Sequence, residues 1–217
     1  MKYYPYIIFD LDGTLTDSGP GVMNGIIYAL KRFGIEEPEK SALHECIGPP
    51  LRESFQRLGG FSREKAEEAI EVFREYYAPI GIFENSVYPG IAAALGELKA
   101  AGRTLAVATS KLDESALRVL DHFGLSSYFD LVVGSRADGT LSETAEVLEH
   151  TLRLLGAGAA DALMVGDRKY DVEGAAENGV ACMGVLYGYG SREELERAGA
   201  VCLAESPADI ARLILGG

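Results

Sequence analysis

The chain has 217 residues, with 20 Lys plus Arg against 33 Asp plus Glu, a formal net charge of −13. A surface this acidic repels nucleic acid and anionic membrane, which sets both aside as generic partners. With 47% hydrophobic and 24% charged residues, the composition is globular rather than disordered, and the length suits one domain with a large insertion or two unequal domains.

The longest run without a charged residue, 178–191, has 14 residues and several glycines, short of the roughly 20 that a membrane span needs. The opening Met1-Lys2-Tyr3-Tyr4-Pro5 leads straight into an apolar strand pattern and lacks the shape of a signal peptide. Cys46, Cys182 and Cys202 are scattered and in no paired spacing. They read as small buried apolar residues in a reducing, cytoplasmic setting. A monomer is the default, with a dimer left open.

In chain order, the first strand is expected at Tyr6–Phe9. The segment 20–33 then carries an apolar stripe of Val22, Ile26, Ile27, Leu30 and Phe33, and Arg63–Tyr77 carries Ala66, Ala69, Ile70, Phe73 and Tyr77. Spacings of three and four predict helices. Roughly 70 residues between the first strand and Tyr88 hold three or four helices and no convincing strand, interrupted by Pro49-Pro50 and closed by Tyr88-Pro89-Gly90. From there, strands at 104–108, 131–133, 162–165 and Ala181–Val185 alternate with helices at 90–101, 113–123, 142–155, 171–178, Arg192–Ala198 and Pro207–Leu215. This alternation predicts an α/β fold: a Rossmann-like parallel sheet with helices on both faces, plus an inserted all-α domain. The expected division is a core of 1–16 and 86–217 and an insertion of 17–85.

Ligands of open parallel sheets bind beyond the carboxyl ends of the strands. Tyr6–Phe9 is followed by Asp10-Leu11-Asp12-Gly13-Thr14-Leu15, strand 104–108 by Thr109-Ser110-Lys111, and strand 162–165 by Gly166-Asp167-Arg168-Lys169-Tyr170-Asp171. Four carboxylates and a hydroxyl are thus expected at one sheet edge. Such hard oxygen ligands suit Mg²⁺. Asp10 and Asp12 would face opposite ways on an ideal strand, and a turn at Gly13 can redirect the second. Asp167 and Asp171 share a face if a helix starts near Asp167. One carboxylate can attack phosphorus while another protonates the leaving oxygen and then activates water. Mg²⁺ and backbone N–H groups offset the charge on the transferring phosphoryl. Alone, each motif reads as well as a turn or a helix cap; together, each directly after a strand, they point to phosphoryl chemistry.

With these motifs the chain resembles the phosphatase branch of the haloacid dehalogenase superfamily, and within it the phosphoglycolate-phosphatase-like members, over essentially its whole length. The stretch from Gly184 to Gly190 resembles that subgroup too. The resemblance implies a helical cap at 17–85, Asp10 as nucleophile and Asp12 as general acid/base. It implies Thr109 as a phosphoryl contact, with Ser110 beside it, and Mg²⁺ held by Asp10, the backbone carbonyl of Asp12 and Asp167, with Asp171 supporting it directly or through water. A true dehalogenase lacks the second aspartate of the pair, so Asp12 favours phosphoryl transfer.

One departure stands out. The family supplies a lysine a few residues after an Asp-Gly-Thr, and here Asp138-Gly139-Thr140-Leu141-Ser142-Glu143-Thr144 places a threonine at that position. No lysine lies between Lys111 and Lys169. Losing one preorganised donor costs about 3–4 kcal/mol, on the order of 10²–10³ in rate, and Glu143 and Glu146 add negative charge. Arg136, Lys111 and Lys169 are the candidate replacements. Arg52, after Ile47-Gly48-Pro49-Pro50, is a candidate anion contact or a solvated helix residue. His44, His122 and His150 lie outside every motif.

Two functions stay open. The first is a Mg²⁺-dependent phosphatase of a small phosphorylated metabolite such as phosphoglycolate, with nucleoside monophosphate, pyrophosphate and sugar phosphate as alternatives. The second is a binding or regulatory protein on the same scaffold, which rests on Thr144 alone. The resemblance also implies a mobile cap hinged at 15–19 and 82–89.

Overall fold

The apolar run Tyr-Ile-Ile-Phe forms β1 (Tyr6–Phe9) in a computed structural model, which describes residues 2–136, 138 and 140–216. Gly139 of the Asp-Gly-Thr stretch lies outside the described residues. After β1 come β2 (Thr16–Asp17), α1 (Gly19–Arg32), α2 (Lys40–His44), α3 (Leu51–Gly59), α4 (Arg63–Tyr77) and β3 (Ser86–Val87). Then follow α5 (Ile91–Ala100), β4 (Thr104–Leu112), α6 (Asp113–His122), β5 (Leu131–Ser135), α7 (Thr144–Leu155), β6 (Ala162–Gly166) and α8 (Lys169–Glu177). The chain ends with β7 (Ala181–Val185), α9 (Arg192–Ala198), β8 (Cys202–Ala204) and α10 (Pro207–Leu215).

Six strands form one sheet in the order β5-β4-β1-β6-β7-β8, and β2 pairs with β3 in a separate two-stranded sheet. Every neighbour pair of the large sheet is parallel, with Phe9 level with Val107 of β4 and Val165 of β6. Parallel sheets are covered on both faces, so their strands are apolar throughout. On one face Ile8, Ala106, Met164 and Cys182 pack against Val147 and Leu148 of α7, Val172 of α8 and Leu195 of α9. On the other, α5 packs on β4 and α10 on β8, and the two helices contact each other. This is the Rossmann-like architecture expected from the alternation of strands and helices.

The chain divides into two compact units, one running up to Thr16 and resuming at Val87, the other spanning Asp17–Ser86. The second unit is helical. Its core joins Ile26, Ala29 and Leu30 of α1, Leu43 of α2, Phe55 of α3 and Ala66, Ile70 and Phe73 of α4. Ile26, Leu30, Ala66, Ile70 and Phe73 belong to the three- and four-spaced stripes, whereas Ala29, Leu43 and Phe55 lie outside them. Ser62 caps α4 by accepting the Lys65 N–H at 3.3 Å, a cap worth about 1 kcal/mol. Cys46 and Cys182 are buried free thiols, and Cys202 is half-buried. Among the described residues, no helix is long and apolar enough to cross a membrane.

Three local differences from the sequence pattern bear on function. β4 runs on to Leu112, where the pattern ends it at 108. After an irregularity beyond Ala108, Leu112 pairs with Ser135 of β5, so the polar Thr109-Ser110-Lys111 is strand rather than loop. α8 begins at Lys169, leaving Asp167 outside the helix. β8, only three residues long, carries too little pattern to be read from sequence.

Candidate active site

β1, β4 and β6 are neighbours at the centre of the sheet, so the residues just past their carboxyl ends meet. The Asp10 N–H donates to Val165 O at 2.9 Å, fixing the start of its loop to β6. The loop then closes on itself. Leu15 N–H donates to Leu11 O at 2.9 Å, Gly13 N–H to Thr16 O at 2.7 Å, and Asp12 bridges to Thr16. Gly13 makes the turn at φ +87°, a conformation that L side chains rarely adopt. A Cβ there would also lie 2.3 Å from Asp167 Oδ2. Glycine is therefore required twice, by the turn and by the approach to Asp167.

Asp167 is fully buried, and both its oxygens are engaged: Oδ2 accepts the Tyr189 N–H at 2.8 Å and Oδ1 the Thr14 hydroxyl at 3.4 Å. Asp171, in the first turn of α8, accepts the Arg168 N–H at 3.0 Å. Asp167 and Asp171 therefore converge through a helix start rather than a shared helix face. Carboxylate oxygens of Asp10, Asp167 and Asp171 all lie within 4.8 Å of one another. Asp10 is only partly buried, which leaves it reachable.

Three carboxylates this close cannot all ionise without a counter-charge. Burial first, then Asp171, Asp167 and Asp12, raises Asp10 well above the usual carboxylate range, against a hydrogen bond from Thr109. Burial and Asp171 push Asp167 up to about 8, against the Tyr189 N–H. Burial pushes Asp171 up to about 6, against the Arg168 N–H and guanidinium. The set is hard and anionic, with Asp167 and Asp171 buried, which fits a divalent cation of the Mg²⁺ kind. Asp12 Oδ1 is also buried with no hydrogen-bond partner among the described residues.

Asp12 turns its other oxygen to Lys111, whose Nζ lies 2.6 Å from Oδ2, and the lysine side chain is only 6% exposed. Thr109 is buried, and its hydroxyl accepts the Lys111 N–H at 3.3 Å. Ser110, between them, is exposed. Arg52 lies on α3 of the helical unit, where its Nε pairs with Glu67 of α4.

The other two candidate cations are turned elsewhere. Lys169 lies over the Tyr170 ring, 5.2 Å from its centre. Arg136 shares a cleft of about 210 Å³ with Asp113, Leu141 and His150. Glu146 has a structural partner: its Oε2 accepts the Ser142 N–H at 2.9 Å and caps α7. Thr144, the first residue of α7, sits against α8, where a Cβ on Gly174 would lie 3.2 Å from Thr144 Cβ.

Sequence reasoning gave no role to Thr14, Tyr187 or Tyr189. The Tyr187 hydroxyl donates to Thr14 O at 2.9 Å. This pins the loop after β7 to the loop after β1. The glycine-rich run from Gly184 to Gly190 was the available signal. A Cβ on Gly188 would lie 2.4 Å from both Asp167 Cβ and Gly13 O.

The sequence matches a family model described as haloacid dehalogenase-like hydrolase over residues 7–185. It is 44% identical over 192 residues to the 5'-nucleotidase of Pseudomonas aeruginosa, covering 88% of this chain and 87% of that one. It is 35% identical over 183 residues to the phosphoglycolate phosphatase of Aquifex aeolicus, covering 84% and 85%. A crystal structure described as a predicted phosphatase from Clostridium acetobutylicum superimposes with a TM-score of 0.94 at 44% identity, covering 100% of both chains.

Proposed function

The chain belongs to the haloacid dehalogenase-like hydrolase family and is a phosphatase of that family; from that premise we propose that it hydrolyses a small phosphate monoester, with Mg²⁺, through an aspartyl-phosphate on Asp10. The observation that carries the reading is the Asp10 carboxylate. It is partly accessible and clustered within 4.8 Å with Asp167 and Asp171.

A carboxylate oxygen of Asp10 attacks phosphorus, and the bond from phosphorus to the ester oxygen breaks with its electron pair. Asp12 gives its proton to that leaving oxygen, releasing the alcohol. The Asp12 carboxylate then takes a proton from water, whose oxygen attacks phosphorus. The bond to Asp10 breaks, inorganic phosphate leaves and both aspartates are restored. Asp10, Asp167 and Asp171 would hold Mg²⁺, which when bound supplies positive charge against the transferring phosphoryl. The Thr109 hydroxyl, on the strand that pairs with β1, would orient a phosphoryl oxygen.

Two of the relatives point to substrates with the same chemistry at phosphorus, a nucleoside 5'-monophosphate and phosphoglycolate. The higher identity to the nucleotidase puts the nucleotide first, ahead of the phosphoglycolate-like substrate that the motifs alone suggest. The test is phosphate release with Mg²⁺ from a panel of both, with pyrophosphate and sugar phosphates. The expected result is saturable release that falls by about 10³ or more in Asp10→Asn. A wild-type protein silent on the whole panel would leave the binding role in place of the enzyme.

A further inference from the structure

The chain lacks the lysine its family resemblance calls for at position 144, yet a buried ammonium stands beside the reacting pair. We propose that Lys111 supplies that cation, neutralising the Asp10–Asp12 pair and donating hydrogen bonds to the phosphoryl oxygens of the substrate; this rests on the phosphatase reading above.

Three observations support it. The Lys111 ammonium is 2.6 Å from Asp12 Oδ2 and its side chain is 6% exposed, and a lysine rarely gives up water without a charged partner. It arrives from β4, which pairs directly with β1, because β4 continues to Leu112 where a shorter strand would have released the segment as loop. Thr109, which acts to lower the pKa of the Asp10 carboxyl, accepts the Lys111 N–H at 3.3 Å. The two residues are thereby tied together at the end of β4, next to the strand that leads into both aspartates.

The other cations past these strands have different partners: Arg168 donates to Glu194 at 2.8 Å, and Lys169 lies over Tyr170. Thr144 starts α7, the helix that packs on β4 and β5 and against α8. Loss of a lysine at the start of that helix is offset by one at the end of the adjoining strand.

The experiment compares wild type, Lys111→Met, Lys111→Arg and Lys111→Met/Thr144→Lys. It reads kcat/KM on p-nitrophenyl phosphate, orthovanadate binding by calorimetry in Mg²⁺, and thermal unfolding. Lys111→Met keeps the apolar stem and is expected to lower kcat/KM by about 10²–10³ and orthovanadate affinity by at least about tenfold. Lys111→Arg is expected to retain more of both, and Thr144→Lys to restore at least about tenfold of the lost rate. Orthovanadate affinity within about threefold of wild type in a folded Lys111→Met overturns the proposal, as does a rate loss that no relocated lysine recovers. If wild type hydrolyses nothing, the phosphatase reading fails while orthovanadate still decides: a large affinity loss in Lys111→Met supports the Lys111 site and an unchanged affinity refutes it.

Discussion

Tyr189 donates its backbone N–H to Asp167 Oδ2 at 2.8 Å, across 22 residues of chain. The loop after β7 thereby fixes an aspartate that follows β6, and Tyr187 ties the same loop to Thr14 after β1. A rotamer choice at Asp167 that burial alone would leave open is made by backbone, so the carboxylate is held in place before any cation binds.

That fixing depends on the absence of a side chain at 188. Gly188→Ala would place a Cβ 2.4 Å from Asp167 Cβ and from Gly13 O, two groups with no room to give. The expected cost is about 1–3 kcal/mol, with weakened Mg²⁺ binding. Gly96 is the control. It lies within α5, and an added Cβ would meet only Tyr128 Cε1 at 3.9 Å, so Gly96→Ala is expected to stabilise by about 0.5–1 kcal/mol. Urea melts of the two variants, with Mg²⁺ calorimetry on the first, check both signs.

The carboxylate positions were legible because each apolar strand breaks abruptly into a charged motif, and sheet topology then brings strand ends together. The arrangement around them was not. Lys111 belongs to a polar triplet that reads as a loop, and only pairing of Leu112 with Ser135 keeps it extended. Asp167 and Asp171 share a helix face only if a helix starts near Asp167, and α8 starts between them. Gly188 owes its role to a contact with residues far away in sequence, which no local pattern records. Glu146 looked like an added site charge because sequence spacing cannot tell a helix cap from a ligand.

Glu146 gives a prediction that separates those two roles. Its carboxylate accepts the Ser142 N–H at 2.9 Å and the Glu143 N–H at 3.4 Å ahead of α7. Glu146→Ala is therefore expected to cost about 1 kcal/mol of unfolding free energy and to leave kcat/KM unchanged. A rise in activity with unchanged stability would assign Glu146 to site electrostatics instead.

Thr144→Lys in the wild-type background is a different question from its effect in the Lys111 variant. With the Lys111 ammonium already 2.6 Å from Asp12, a second lysine adds a charge the site has less need of, and less than about tenfold gain in kcat/KM is expected. Thr144 also packs near Gly174, so the longer side chain must find room beside α8, at a cost of about 1–3 kcal/mol. A gain of about 10² or more would mean that the site has no working cation. Steady-state rates beside thermal melts decide.

Removing the metal should make stability fall as pH rises, the reverse of ordinary acid unfolding. Asp171 and Asp167 titrate in the folded protein at about 6 and about 8, and at about 4 once unfolded. Between those values the folded state binds more protons than the unfolded one. Their contribution is whole below the unfolded value and is lost as pH rises through about 6 and then about 8. Mg²⁺ competes with those protons, so at a hundredfold excess over its dissociation constant it adds about 2.7 kcal/mol, and for a fixed concentration adds more at high pH. Melting temperatures at about pH 5 and about pH 9, with chelator and with Mg²⁺, read both effects. Asp171→Asn keeps an oxygen to accept the Arg168 N–H while removing one charge. Its metal-free melt is expected to vary less with pH and to gain little from Mg²⁺. A wild-type protein whose metal-free melt is no more sensitive to rising pH than that of Asp171→Asn would contradict the buried carboxylate cluster.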